Sequence, residues 1–172
     1  MSKLNIKIGD ITKETTDAIV NAANTSLLGG GGVDGAIHRA AGRGLLEECR
    51  TLNGCKTGEA KITKGYHLPS KYVIHTVGPI YRGGNNNESE LLKNAYENSL
   101  KVAVENKIKT IAFPSISTGV YSYPLKEASE IAVKTILDFL NKDNSIEEVI
   151  IVCFDNNTYD YYQKALKKLE GK

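Results

Sequence analysis

Four consecutive glycines, Gly29-Gly30-Gly31-Gly32, run directly into Val33-Asp34-Gly35-Ala36-Ile37-His38, where the apolar spacing turns helical. Glycines let backbone amides approach a ligand closely, and a helix start offers unpaired N–H groups with a partial positive charge. Together these make a seat for a phosphate; a flexible connector is the ordinary alternative. Ser115-Ile116-Ser117-Thr118-Gly119-Val120-Tyr121 follows the same logic, with hydroxyls, a glycine and nearby amides between a strand and a helix. Such residues also make ordinary turns. Two seats on one side of a molecule would suit a diphosphate. Asp10 could accept a hydrogen bond from an adenine amino group and Phe154 could stack on the base, which would complete a nucleotide site. A turn or cap role for Asp10 and a core position for Phe154 are the alternatives. Asn24 and Asp34 flank the glycine run as an uncharged donor–acceptor and a carboxylate. As a turn residue and a helix cap, respectively, they too have ordinary readings.

What decides between these readings is position, and the elements that set it can be read from periodicity. Residues 4–8 and 18–20 read as short strands, 60–68 and 72–77 as two more separated by Pro69-Ser70, and 110–113 and 149–154 as buried strands. Helical spacing covers 33–41, 45–52, 88–106, 125–140 and 159–169, with Gly42 and Gly44 punctuating the first two. The stretch Gly83-Gly84-Asn85-Asn86-Asn87 reads as an exposed loop. Strands alternating with helices of this length imply crossovers and a largely parallel sheet covered on both faces, a three-layer α/β/α domain. In such a sheet, ligands sit outside the carboxyl ends of the strands. Asp10, the segment from Asn21-Ala22-Ala23-Asn24 to Gly32 and the loop from Ser115 to Tyr121 each follow a predicted strand, and Phe154-Asp155 ends the last. All four are expected along one rim.

Composition bounds the partners. The chain has 172 residues, 41% of them hydrophobic, enough for one core-forming domain over 1–172. Lys+Arg 22 against Asp+Glu 20 leaves +2, with no block of like charge, so a grip on long nucleic acid is not expected. No apolar run is long enough to span a membrane, and Met1-Ser2-Lys3-Leu4-Asn5 lacks the apolar stretch of a secretory signal. An odd set of cysteines, Cys49, Cys55 and Cys153, favours free thiols and a cytoplasmic setting. His38, His67 and His75 could join them at a zinc ion, but no CxxC or HxxxH spacing occurs. A monomer is the default expectation.

Four motifs taken together resemble, in order and spacing, a MacroD-type macrodomain. They are Gly9-Asp10-Ile11-Thr12, Val20-Asn21-Ala22-Ala23-Asn24, Gly30-Gly31-Gly32-Val33-Asp34-Gly35-Ala36-Ile37-His38 and Pro114-Ser115-Ile116-Ser117-Thr118-Gly119-Val120-Tyr121. The resemblance extends from Asn5 to about Leu169. It implies an α/β/α macrodomain with a mixed, largely parallel sheet that binds ADP-ribose and hydrolyses its esters. The substrates implied are O-acetyl-ADP-ribose and mono-ADP-ribose on acidic side chains of proteins. By motif, Asp10 and Ile11 would meet adenine, with Phe154 stacked nearby. Gly31, Gly32, Val33 and the residues Ser117, Thr118, Gly119, Val120 and Tyr121 would hold the diphosphate and distal ribose, Tyr121 beside the ribose. Asn24 and Asp34 would be the catalytic pair. No metal or other cofactor is implied, because Asp34 stands after Gly32-Val33 where the zinc-dependent variety carries a cysteine.

The chemistry follows from the residues as well. Hydrolysing an ester on a ribose hydroxyl needs a positioned water and a base, or a group that fixes that water. Asp34 can take either role, and Asn24 can fix ribose hydroxyls without adding charge. The rival to an enzyme is a reader module that binds ADP-ribose without turnover. A third reading rests on Gly30-x-Gly32-x-x-Gly35, which matches the dinucleotide fingerprint of nicotinamide-dependent oxidoreductases. That fingerprint should open right after a strand and be followed about 20 residues on by an acidic residue. Here Asn21 to Ser26 intervene, and the later stretch reads Asn53-Gly54-Cys55-Lys56-Thr57-Gly58.

Overall fold

The structure, a computed structural model, describes residues 3–170. Met1 and Ser2, which open the N-terminal stretch considered above, and the last two positions of the expected 1–172 domain lie outside the described residues. Among these residues six strands form one sheet: β1 (Leu4–Ile8), β2 (Ala18–Ala22), β3 (Ala60–Lys64), β4 (Tyr72–Thr76), β5 (Thr110–Phe113) and β6 (Glu148–Cys153). Their order is β1-β6-β5-β2-β4-β3, parallel throughout except for the β3–β4 pair. Among the described residues five α-helices cover the sheet: α1 (Gly32–Ala41), α2 (Arg43–Arg50), α3 (Glu88–Glu105), α4 (Leu125–Lys142) and α5 (Asn156–Glu170). Among the described residues no helix is long and apolar enough to cross a membrane.

Alternation along the strands sorts the core into two layers. Ala18 and Val20 of β2 and Ile74 of β4 join Leu92 and Tyr96 of α3, Ala132 of α4 and Tyr162 of α5 on one face. Ile19 and Val73 point to the other, against Ile37 of α1 and Leu45 and Cys49 of α2. Because successive residues of a strand face opposite ways, Asn21 and His75 fall on the α1–α2 side, two places beyond Ile19 and Val73. Both are fully buried.

The three-layer α/β/α reading stands, with element ends shifted. The strand expected over 60–68 stops at Lys64. Its antiparallel pairing with β4 sets Lys64 opposite Tyr72, so the chain must reverse between them. Gly65 N–H donates to Lys71 O at 2.7 Å and Tyr66 adopts φ 54° in that reversal. A Cβ on Gly65 would lie 2.1 Å from Ser70 O, so only glycine allows the close approach. β4 closes at Thr76, one residue short of the expected 72–77. The last strand begins at Glu148 and ends at Cys153, which leaves Phe154 beyond it. The final helix starts at Asn156, not 159, since Asp155 Oδ1 accepts from Thr158 N–H at 2.8 Å and caps it. The second helix runs over Arg43–Arg50 instead of 45–52, entering through Gly42 at φ 88°. α1 opens one residue before the predicted 33, α3 ends one residue before 106, and α4 runs two residues past 140.

Candidate active site

Strands β1, β6, β5 and β2 are adjacent and parallel, so their carboxyl ends share one edge. Asp10, Phe154, the loop after Phe113 and the loop after Ala22 all emerge there, as the rim argument requires. Gly30 lies in the loop after Ala22. A Cβ on Gly30 would sit 3.1 Å from Asp34 Oδ2 and 3.2 Å from Asn24 Nδ2. The carboxylate and the amide therefore end against the same small space, which a glycine keeps open.

Each of the two side chains is held. Asn24 Nδ2 donates to Gly29 O at 2.9 Å, while its Oδ1 accepts from Ser26 N–H at 3.1 Å and from Ser26 Oγ at 2.6 Å. It is thus a turn former, as one reading held, and also one wall of the Gly30 space. Asp34 does not cap α1. The N-cap is Gly31, and Asp34 lies in the first turn with Oδ1 accepting from Asn21 Nδ2 at 2.8 Å. Only 4% of Asp34 is exposed. Burial pushes its carboxyl above the usual carboxylate range, against the opposing effects of the Asn21 hydrogen bond and the His38 ring. His38 Nε2, one turn on, stands 3.4 Å from Asp34 Oδ1 without hydrogen-bond alignment.

The glycine run and the Ser115–Tyr121 loop both border open space. Gly31 carries no side chain to cap α1, so the first N–H groups of the helix are left to other acceptors. A Cβ at Gly31, Gly32 or Gly119 would meet nothing within 4 Å. Gly32 has φ 58° and Ser117 φ 68°, left-handed backbone shapes of the kind found in anion-binding turns. Tyr123 N–H donates to Ser117 O at 2.8 Å and Ser122 N–H to Gly119 O at 2.9 Å, closing the loop on itself. Ser115 Oγ joins it to Thr118 Oγ1 at 2.6 Å and to the buried Tyr162 hydroxyl at 2.7 Å. Val120 is 91% exposed at its tip, and Tyr121 O accepts from Tyr81 N–H at 2.9 Å. Val33, in the first turn of α1, is half-buried.

At the far end of the rim, Asp10 caps the short 3-10 turn Ile11–Lys13. Its Oδ1 accepts from Thr12 N–H at 2.9 Å and from Thr12 Oγ1 at 2.6 Å, which hold its pKa below the ordinary value. The cap role is real, and the residue is exposed at the rim as well. Ile11 packs its side chain into the core beside Ile19 and Ile37, leaving only main chain for the rim. Phe154 is 79% exposed, which removes its core reading.

Residues 20–132 match the family model described as Macro domain. The chain belongs to the macro domain family. It is 64% identical to a macro domain-containing protein of Chlorobaculum tepidum over 91% of each chain. An O-acetyl-ADP-ribose deacetylase of Citrobacter koseri is 53% identical, with 96% of each covered. Among solved structures, a mutant of the Oceanobacillus iheyensis macrodomain with ADPR superposes with a TM-score of 0.94 at 50% identity, covering 98% of this chain and 94% of that one.

Sequence reasoning missed three parts of this macro domain. Behind Asp34, Asn21 Nδ2 also reaches His75 Nδ1 at 3.1 Å, and His75 Nε2 lies 3.0 Å from Thr63 Oγ1 and 3.7 Å from Cys49 Sγ. Polar residues inside the apolar strands 19–22 and 73–76 were the available signal. Gly78, just past β4, packs so tightly that a Cβ would lie 2.2 Å from Ser117 Oγ, a hydroxyl buried without a partner. Tyr96 and Tyr162 reach across from α3 and α5 to the Ser115–Thr118 loop, Tyr96 OH accepting from Ile116 N–H at 3.2 Å. The cysteines are free and buried. Among the described residues no cluster of three His, Cys, Asp or Glu side chains is placed to hold a metal ion.

Proposed function

We propose that this macro domain is an ADP-ribosyl ester hydrolase that deacetylates O-acetyl-ADP-ribose and removes mono-ADP-ribose from acidic protein side chains. The observation that carries the reading is the convergence of Asp34 Oδ2 and Asn24 Nδ2 on the Gly30 space, beside the uncapped start of α1. The names and ligands of the relatives above supply the ligand class. In this reading the amides of Gly31, Gly32 and Val33 and the loop Ser117, Thr118, Gly119, Val120 and Tyr121 hold the diphosphate and distal ribose. Asp10 accepts from the adenine amino group and Phe154 stacks on the base, while the main chain of Ile11 lines the same end.

Asn24 donates to a distal ribose hydroxyl. Asp34, with Oδ1 occupied by Asn21, turns Oδ2 to a water over the Gly30 space. That water attacks the acyl carbon; its proton passes to the carboxylate or a substrate phosphate oxygen; the acyl–oxygen bond breaks and the ribose oxygen takes up a proton. The products are the free acid and ADP-ribose. Burial makes Asp34 a stronger base than an exposed carboxylate, and a neighbouring diphosphate would strengthen it further.

The test is Asp34→Ala. Turnover of O-acetyl-ADP-ribose should be nearly abolished while ADP-ribose binding stays within about tenfold, or roughly 1.4 kcal/mol. Full turnover in this variant would sink the assignment. Wild-type protein that binds ADP-ribose tightly but releases no product over hours would make it a reader.

A further inference from the structure

The side chain that aims Asp34 is itself aimed from below. Asn21 and His75 are register partners on adjacent parallel strands, and both are fully buried. The Asn21 amide nitrogen lies 2.8 Å from Asp34 Oδ1 and 3.1 Å from His75 Nδ1. A carboxylate only accepts, so the amide must present its NH2 group to Asp34, and the same group meets the imidazole. His75 Nδ1 must then be a bare acceptor, which puts the ring hydrogen on Nε2, facing Thr63 Oγ1 at 3.0 Å. Thr63 in turn donates to Lys64 O at 3.1 Å, so the chain of donors ends on main chain. Turning the amide over would set its oxygen against a carboxylate oxygen and would require the ring hydrogen to leave Nε2 and Thr63 for Nδ1. With Thr63 already donating to Lys64 O and accepting from Nε2–H, His75 opposes that turn, and Asn21 fixes which oxygen of Asp34 is left for the Gly30 space.

Stability gives no reason for this arrangement. Apolar side chains would fill the same volume without polar desolvation, and the network leaves Asn21 Oδ1 buried with no hydrogen-bond partner. Such a residual cost is expected where a site, not the fold, sets the residue types.

We propose that His75 is a positioning residue: as a neutral acceptor at Nδ1 it locks the Asn21 amide, which holds Asp34 with Oδ2 turned to the substrate. This rests on the reading that Asp34 acts on substrate. His75→Phe keeps a ring and removes the acceptor, and should lower kcat on O-acetyl-ADP-ribose about tenfold or more while ADP-ribose affinity stays within about twofold. His75→Gln, which offers an acceptor and a donor, should recover part of the loss. Unchanged kcat in His75→Phe, or equal losses of binding and turnover, would overturn the proposal. Asp34→Ala in the same assay separates the two ideas. If it retains turnover, the function reading fails; if it is inactive while His75→Phe is fully active, only the positioning role fails. Should His75→Phe not fold, nitrogen-15 NMR of the wild-type imidazole decides. A neutral Nε2–H ring near neutral pH supports the lock, and an Nδ1–H or charged ring refutes it.

Discussion

Gly30→Ala places one methyl group between Asp34 and Asn24. Its carbon would stand 3.1 Å from Asp34 Oδ2 and 3.2 Å from Asn24 Nδ2, a few tenths of an ångström inside the roughly 3.5 Å of comfortable contact. Neither neighbour can withdraw cheaply. Asp34 Oδ1 is tied at 2.8 Å to Asn21, which belongs to a central strand, and Asn24 is bonded to both Gly29 and Ser26. The carboxylate should therefore shift by about 0.3 to 0.5 Å. If a misplacement of about 1 Å costs roughly a hundredfold, this shift costs roughly four- to tenfold in kcat.

Folding should hardly notice the change. Gly30 is not among the residues with positive φ, so alanine is tolerated by the backbone, and its smaller unfolded-state entropy contributes about 0.4 to 1 kcal/mol against the tight contacts. The decisive comparison is with Gly31→Ala, whose methyl would meet nothing within 4 Å of protein and would project at the start of α1. That variant should weaken ADP-ribose binding and leave kcat near wild type at saturation. Steady-state kinetics on O-acetyl-ADP-ribose with calorimetric binding of ADP-ribose reads both effects. Wild-type kcat in Gly30→Ala, or a loss in that variant confined to binding, would refute the geometry of the pair.

Three further outcomes are expected. Asp34 has a pKa raised above its unfolded value, so whatever stability it contributes is present below about pH 3.9 and is lost as pH rises through its folded pKa. Asp34→Asn should therefore melt higher than wild type at neutral pH, with the gap closing in acid; a lower Tm at neutral pH would contradict the burial argument. Phe154→Ala should leave stability within about 0.5 kcal/mol, because the ring is 79% exposed, yet cost ~1 to 3 kcal/mol in ADP-ribose affinity; calorimetry showing no loss removes the stacking role. Tyr162→Phe takes one buried hydroxyl from Ser115 and should cost about 1 kcal/mol of stability and weaken ADP-ribose binding several-fold; an unchanged melting curve and Kd would show the loop does not depend on it.

The rim was legible because it needs only local signals. Gly29 to Gly32, Ser117 to Gly119, Asp10 and Phe154 each stand out by type, the loop from Ser115 and Asp10 closely follow apolar runs and Phe154 ends one, and parallel strands bring such positions to one edge. Element ends were less legible where a turn overrides propensity. Residues 65–68 continue the composition of β3, and only the antiparallel pairing with β4 forces the reversal at Gly65.

The layer beneath the rim was not legible, for a different reason. Asn21 and His75 are 54 residues apart, and what joins them is the β2–β4 register, a fact about pairing that neither strand carries alone. A slip of one residue would send His75 to the α3 face and leave Asn21 without its acceptor. Specifying that register is a task for the whole sheet: Ile19 and Val73 must face α1 and α2 while Val20 and Ile74 face α3. The hydrophobic alternation that builds the core is thus also what orients Asp34. An apolar substitution in β2 or β4 far from any ligand can reach the carboxylate by this route alone.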